Sequence, residues 1–368
     1  MDEYLSKKIR MMSFISILAV VLIHAYNFTD TRLDSWTVIT EEKNIGAIIE
    51  YIISNGLTRF AVPLFFMISG YLFYCNYELS FKGYLYKLKR RGFSILIPYV
   101  IWSLLSFGLV YILGQVIGMK SSVFINYANP KPSIGELLFS NNYAFQLWYL
   151  KALIIFTIIS PIGYLAVKYV GISFIAVLGL LWSIGFYIGL VDTEAYLFFY
   201  IGAYIAIHNK SDLVNKKPSK AFMITNLILW LAVSILRGIL AAVGPTLAQE
   251  VDYHRLYLLY KIGEIFGVVS IWSLYDYLYD IFHKEGKEHK LLNIAASNVF
   301  LVFLMHEPIQ HILYDILLGR AGSNSASSLM HVIVYFGLMI VMVISIELFA
   351  VFLRRFLPRT HKILTGGR

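Results

Sequence analysis

The chain has one cysteine, Cys75, so an intrachain disulfide is impossible and the cysteine content reveals nothing about redox compartment. Charge is the second scarcity. Only 14% of the 368 residues are Asp, Glu, Lys or Arg, against about a quarter in a soluble chain. Period-two alternation is missing from the apolar segments, which excludes a transmembrane barrel. The first apolar run, MMSFISILAVVLIH (Met11–His24), follows Lys7, Lys8 and Arg10 but precedes no small-x-small cleavage site, so a retained signal anchor is expected. No stretch is long enough for a separate soluble domain and no internal repeat is visible. One integral membrane domain over residues 1–368 is therefore expected.

What is present is hydrophobic: 58% of the residues, with a mean hydropathy of +0.69. Several segments exceed the roughly 18 apolar residues of a spanning helix. The expected fold is all-α, a polytopic membrane bundle of about ten transmembrane helices with both termini cytoplasmic. The spans are read near 9–27, 45–76, 95–114, 146–165, 172–190, 195–208, 221–243, 256–279, 292–318 and 329–356. Asn55-Gly56 and Pro63 should break the long second span. The densest basic loop holds Lys82, Lys87, Lys89, Arg90 and Arg91. Basic residues fall mainly in alternate loops, whereas Asp30, Asp34, Glu41, Glu42, Asp192, Glu194, Glu250 and Asp252 fall in the opposite ones. A net charge of +9 is accounted for by this topology, and no nucleic-acid partner follows.

A charge near the bilayer centre costs about 2.5–3.5 kcal/mol even on a lenient scale, so intramembrane ionisable residues carry information. His24, Arg59, Lys151, Arg237, Lys261, Glu264, His306 and Glu307 are placed at similar depth on six helices, which implies a polar cavity open to the outer face. Each has a structural alternative. His24 suits an interface, Lys261 and Glu264 an ion pair, Arg237 outward snorkelling, and Glu307-Pro308 a kink. Trp102 and Trp148 suit an aromatic belt. The basic stretch Lys82–Arg91 serves either topology and anionic lipid, or attraction of a polyanion such as the phosphates of coenzyme A.

RFAVPLFFMISGYLF (Arg59–Phe73) resembles the second-span signature of the acyltransferase family 3 membrane proteins. The helix ending in His24, RRGFSILIPYVIWSLL (Arg90–Leu105), LWYLKALIIFTIISPI (Leu147–Ile162) and NVFLVFLMHEPI (Asn298–Ile309) resemble further family segments in the family's order. Around Arg59–Phe73 the chain is most similar to the enterobacterial common antigen O-acetyltransferase group. The resemblance implies an O-acetyltransferase of the bacterial cytoplasmic (inner) membrane. It would move an acetyl group from cytoplasmic acyl-CoA, acetyl-CoA above all, to a hydroxyl of an envelope polysaccharide or lipid-linked glycan. It implies no permanently bound cofactor and no metal.

In this reading neutral His24 is suited to take the acceptor hydroxyl's proton, a cation such as Arg59 or an amide donor would stabilise the oxyanion, and acetyl passes either first onto His24 or directly to the acceptor. The family's first-helix arginine, eleven residues before the histidine, is here Ser13. At about 100° per residue Ser13 shares a helical face with His24, and Arg10 lies one turn further and about 40° round. Arg10, Ser13, Arg90 and Arg91 are assigned to the donor. Trp148, Tyr149, Lys151, Glu264, His306 and Glu307 are assigned to the acceptor or pocket. A transporter or flippase of a lipid-linked glycan or small solute, and a family member without activity, are the competing classes.

Overall fold

The structure is a computed structural model that describes residues 3–26, 39, 44–116, 133–139, 144–247, 251–282, 296–318 and 327–367. These are helical almost throughout. In chain order the helices are α1 (Glu3–Ile23), α2 (Ile45–Tyr51), α3 (Ala61–Tyr74), α4 (Phe81–Arg91), α5 (Ile97–Tyr111), α6 (Ile134–Phe139), α7 (Trp148–Ile158), α8 (Ser160–Leu165) and α9 (Ile172–Ser183). The strands β1 (Tyr187–Ile188) and β2 (Val191–Asp192) follow, paired antiparallel with Tyr187 opposite Asp192. Then come α10 (Thr193–Ile207), α11 (Ser211–Asn215), α12 (Lys220–Leu247), α13 (Val251–Phe282), α14 (Val299–Leu318), α15 (Ser328–Phe356) and α16 (Pro358–Leu364). The all-α, multi-pass membrane architecture is as the composition demands.

Five helical stretches are long and apolar enough to cross a membrane: Ile45–Tyr74, Phe81–Gly114, Lys220–Val243, His254–Tyr279 and Ser328–Phe356. A sixth follows if Phe145–Ile158 and Ser160–Val170, broken between them, cross together. The count among the described residues thus stops short of the ten expected, for local reasons in three of the spans, while the expected spans 9–27 and 292–318 lie partly outside the described residues. Helix α9 has 12 residues and α10 has 15. At 1.5 Å per residue they reach only about 18 and 22 Å of a core about 30 Å thick. The expected span 172–190 ends at Ser183 because Gly185 (φ 69°) turns the chain back, with Phe186 N donating to Leu181 O at 3.0 Å. The span expected over 146–165 is interrupted at Ile159, two residues before Pro161, whose ring and missing N–H oppose a continuous helix. The basic stretch read as a loop is helical: Ser80 caps α4 by accepting from Gly83 N at 3.0 Å.

The chain forms two compact units. The first contains Met1–Leu79 and Ser160–Ala296, the second Ser80–Ile159 and Ser297–Arg368. In the first unit α3 and α10 cross with their backbones in contact. A Cβ at Gly70 would meet the carbonyl of Phe199, and one at Gly202 the carbonyl of Met67. Small residues at reciprocal positions permit this approach, the usual device for packing helices in lipid. A column of rings, Phe73, Tyr74, Phe199 and Tyr200, extends the contact.

In the second unit, the residues after α15 fold onto the middle of the Phe81–Gly114 stretch. Trp102 Nε1 donates to Leu364 O at 3.1 Å, and Gly366 lies against Ser94. Helix α6 begins with a capping box: Ser133 N donates to Glu136 Oε2 at 2.7 Å and Glu136 N to Ser133 Oγ at 3.2 Å. Hydrogen bonds to the carboxylate from the backbone N–H and the side chain of Ser133 hold Glu136 below its ordinary pKa.

Candidate active site

The first unit places His24 and Arg59 on either side of one irregular turn. His24 is the first residue past α1, half-buried, and its N–H donates to Val20 O at 3.2 Å. The chain then turns, with Ala25 N donating to Leu22 O at 3.2 Å. The same Leu22 carbonyl accepts from Ser54 Oγ at 2.7 Å. Ser54 belongs to the π-helical turn Ile52–Leu57 that joins α2 to α3. This is the break expected at Asn55-Gly56. Widening from i−4 to i−5 bonding displaces carbonyls from their normal donors, and side chains take them up. Thr58 N and Thr58 Oγ1 both donate to Ile53 O, at 3.0 and 2.8 Å. Ser54 O accepts from Thr58 Oγ1 at 3.0 Å and from Arg59 Nε at 3.1 Å.

Across this turn lies Arg237 of α12, only 1% exposed. It does not snorkel outward. Its Nη1 donates to Asn55 O, and its guanidinium sits 5.8 Å from the ring of Tyr51 and 5.0 Å from that of Tyr260. Arg59 approaches the same Tyr260 ring at 5.7 Å. The Tyr260 hydroxyl donates to Glu194 Oε2 at 3.1 Å, and Lys261 Nζ reaches that oxygen at 3.4 Å. Glu264, fully buried, faces Lys261 at 4.0 Å. Lys261 is also lined by Trp182, Tyr257 and Tyr260, at 4.6, 5.0 and 5.0 Å from the ring centroids.

The ion pair expected between Lys261 and Glu264 therefore has a nearer third member, Glu194. That residue is buried in the first turn of α10 and does not sit in a loop. Asp192 caps this helix by accepting from Glu194 N at 3.0 Å. An acid-x-acid pattern at the start of an apolar helix was the available signal.

The other end of α1 carries a group that the spacing did not disclose. Lys8 Nζ pairs with Asp276 Oδ1 of α13 at 2.5 Å, the side chains 0% and 1% exposed. The Tyr4 hydroxyl donates to the same oxygen. Arg10 is exposed, and the Ser13 hydroxyl donates to Ile9 O of its own helix at 2.9 Å.

The remaining candidates belong to the second unit. Arg90 is exposed and Arg91 half-buried at the end of α4. His306 is fully buried, its Nδ1 2.8 Å from Phe303 O. Glu307 breaks the helical path of α14 (φ −108°, ψ 142°), as the residue before a proline tends to. Pro308 has no N–H to give Leu304 O, and Gln146 supplies one. Its Nε2 donates to Leu304 O at 2.9 Å and to Glu307 O at 2.8 Å. Tyr149 packs edge-on against Phe303 at 5.6 Å, beside half-buried Trp148. Lys151 Nζ donates to Phe139 O at 3.1 Å. Glu307-Pro308 is thus a kink, as one reading anticipated.

Of the predicted residues, the first unit brings Arg59, Arg237, Lys261 and Glu264 together beside the turn that holds His24. Trp148, Tyr149, His306 and Glu307 share the second unit with Lys151, Arg90 and Arg91. Among the described residues no group of three or more His, Cys, Asp and Glu is placed to hold a metal ion.

A half-buried imidazole at a helix end and a guanidinium anchored to the adjoining turn are groups of the kind that acyl transfer uses as base and as electrophilic cation. The chain has no match among curated proteins or solved structures. A family model described as an acyltransferase domain matches residues 8–348, which takes in His24, Arg59 and every other candidate named above. The chain is a multi-pass membrane protein that belongs to the acyltransferase family 3.

Proposed function

We propose that the protein is an O-acetyltransferase. It takes an acetyl group from cytoplasmic acetyl-CoA and places it on a hydroxyl of an envelope polysaccharide or lipid-linked glycan, working in the bacterial inner membrane with both termini cytoplasmic. The observation that carries this reading is the pairing of His24 and Arg59 around the turn Ile52–Leu57, through Leu22 O, Ser54 and Arg59 Nε. The specific likeness to the enterobacterial common antigen group rests on Arg59–Phe73 and is part of the proposal.

Neutral His24 accepts the proton of the acceptor hydroxyl as its oxygen bonds to the thioester carbonyl carbon. Negative charge gathers on the carbonyl oxygen, where Arg59 is the stabilising cation. Collapse breaks the carbon–sulfur bond, and the imidazolium returns the proton to the coenzyme A thiolate. The basic residues of α4, with Arg90 and Arg91 at its end, are suited to draw the donor's phosphates. Glu264 lies within the charged cluster beside Arg59; Trp148, Tyr149, Lys151, His306 and Glu307 remain assigned to acceptor recognition.

The test is mass spectrometry of envelope glycans from cells with and without the chain, joined to thiol release from acetyl-CoA by their membranes. The wild-type chain should add acetyl groups and release thiol, and His24→Ala should do neither. Full acetylation by His24→Ala would remove the base from this scheme. Movement of a solute or lipid-linked glycan with no thiol release would replace it with transport.

A further inference from the structure

We infer that Ser54 is a positioning residue for His24, and that its single side chain and backbone hold the proposed base and the proposed oxyanion cation in register. The inference rests on the acetyl-transfer reading above and adds a residue that neither the family motifs nor the charged-residue pattern identifies.

Ser54 is fully buried and sits where its two oxygens face in different directions. Its hydroxyl donates to Leu22 O at 2.7 Å. That carbonyl is the acceptor that closes the turn containing His24, through Ala25 N at 3.2 Å. The last carbonyls of a helix lack intrahelical donors, and an end left to fray does not hold a side chain at a fixed angle. Ser54 adds a donor to Leu22 O from another segment, so the turn carrying His24 is fastened from outside its own helix. The carbonyl of the same residue accepts from Arg59 Nε at 3.1 Å and Thr58 Oγ1 at 3.0 Å. The π-helical geometry turns Ser54 O toward those side chains. An ordinary α-helical turn would give it to a backbone N–H.

Two covalently distant groups are thereby referred to one residue. Displacing a reacting group by about 1 Å can cost roughly 100-fold in rate without touching ground-state binding. Loss of the Ser54 hydroxyl should accordingly appear in kcat and not in KM for the donor. A merely structural serine would instead lower the amount of folded protein and leave the rate per molecule unchanged.

The experiment uses the full chain in membranes, with acetyl-CoA as probe and thiol release as readout, normalised to folded chain by size-exclusion chromatography in detergent. The variants are Ser54→Ala, Ser54→Thr and His24→Ala. Ser54→Ala should lose about tenfold or more in kcat, with KM for acetyl-CoA within about twofold. Ser54→Thr, which keeps the hydroxyl, should recover most of that loss. A Ser54→Ala rate within about twofold of wild type beside an inactive His24→Ala would overturn the inference and leave the acetyl-transfer reading intact. So would a loss confined to KM, or equal losses in the Ala and Thr variants with folded yields matched. An active His24→Ala would instead remove the reading on which the inference stands. If Ser54→Ala does not fold, Ser54→Cys, close to serine in size and a weaker donor, takes its place. It should fall between wild type and His24→Ala in kcat, and a wild-type rate would overturn the inference.

Discussion

The buried pair Lys8–Asp276 gives the sharpest test of how the first unit is held together. Its members come from α1 and α13, 268 residues apart, and meet at 2.5 Å with side chains 0% and 1% exposed. The rings of Trp272, Tyr275 and Tyr4 surround the ammonium at 4.5, 5.9 and 6.0 Å. Removing one partner strands the other in an apolar setting and costs about 3–5 kcal/mol, whereas replacing both with apolar residues of similar volume is about neutral. For a unit of roughly 200 residues, about 2–4 °C per kcal/mol turns that into a fall of ~6–20 °C in the unfolding midpoint. The cation–π contacts soften the loss for Asp276→Leu, because the ammonium keeps three ring faces. They do nothing for Lys8→Met, which leaves the carboxylate with the Tyr4 hydroxyl as its remaining described donor. Lys8→Met should therefore be the worse single variant.

The assay is thermal unfolding of the full chain in detergent, followed by tryptophan fluorescence, for wild type, Lys8→Met, Asp276→Leu and the double variant. The double variant should unfold above either single one, a coupling of about 2 kcal/mol or more. If its midpoint falls by the sum of the two single losses, the residues do not depend on each other and the reasoning fails.

Three further outcomes follow from the packing and the broken helices. Gly202→Ala pushes a methyl into Met67 O and should cost about 1–3 kcal/mol by the same unfolding assay, while Gly92→Ala, whose Cβ meets nothing within 4 Å, should be neutral or slightly stabilising. Gln146→Leu strips the carbonyls of Leu304 and Glu307 of a buried donor and should lose about 1–3 kcal/mol; Gln146→Glu, which has no amide to donate, should not restore it. Burial first, and Arg354 second, hold His361 below its ordinary pKa of 6.5, with Arg354 Nε donating to His361 Nε2 at 3.3 Å. The unfolded chain then binds the proton more readily. The contribution of His361 is complete above pH 6.5 and is lost as pH falls through that value toward the depressed folded one. The unfolding midpoint of wild type should drop more steeply between about pH 7 and 5 than that of His361→Gln.

Helix content and the membrane habit were legible because they depend on composition and on runs of apolar residues. The interruption at Asn55-Gly56 was legible too, since small polar residues in an apolar run have few other uses. Helix ends were harder to place: Gly185 and Pro161 cut two expected spans, and both are local signals that the apolar run around them outweighed. The pair Lys8–Asp276 could not be seen, because nothing local links residues so far apart. Glu194 was hidden by its position, since an acid at the edge of an apolar segment reads equally as loop or as first helical turn. Arg237 misled in the opposite sense. A lone arginine on an apolar helix suggests snorkelling, and only the carbonyl of Asn55 on another helix shows why it turns inward.

The polar residues in these apolar segments divide by what they neutralise, and the division explains why counting them overstates the site. One group closes backbone broken by irregular geometry: Thr58, Ser54 and Arg237 at the π-helical turn, Gln146 at the Pro308 kink. A second group compensates charge, Lys8 with Asp276 and Lys261 with Glu194 and Glu264. Both are what a low-dielectric surrounding requires of any helical bundle that departs from ideal helices.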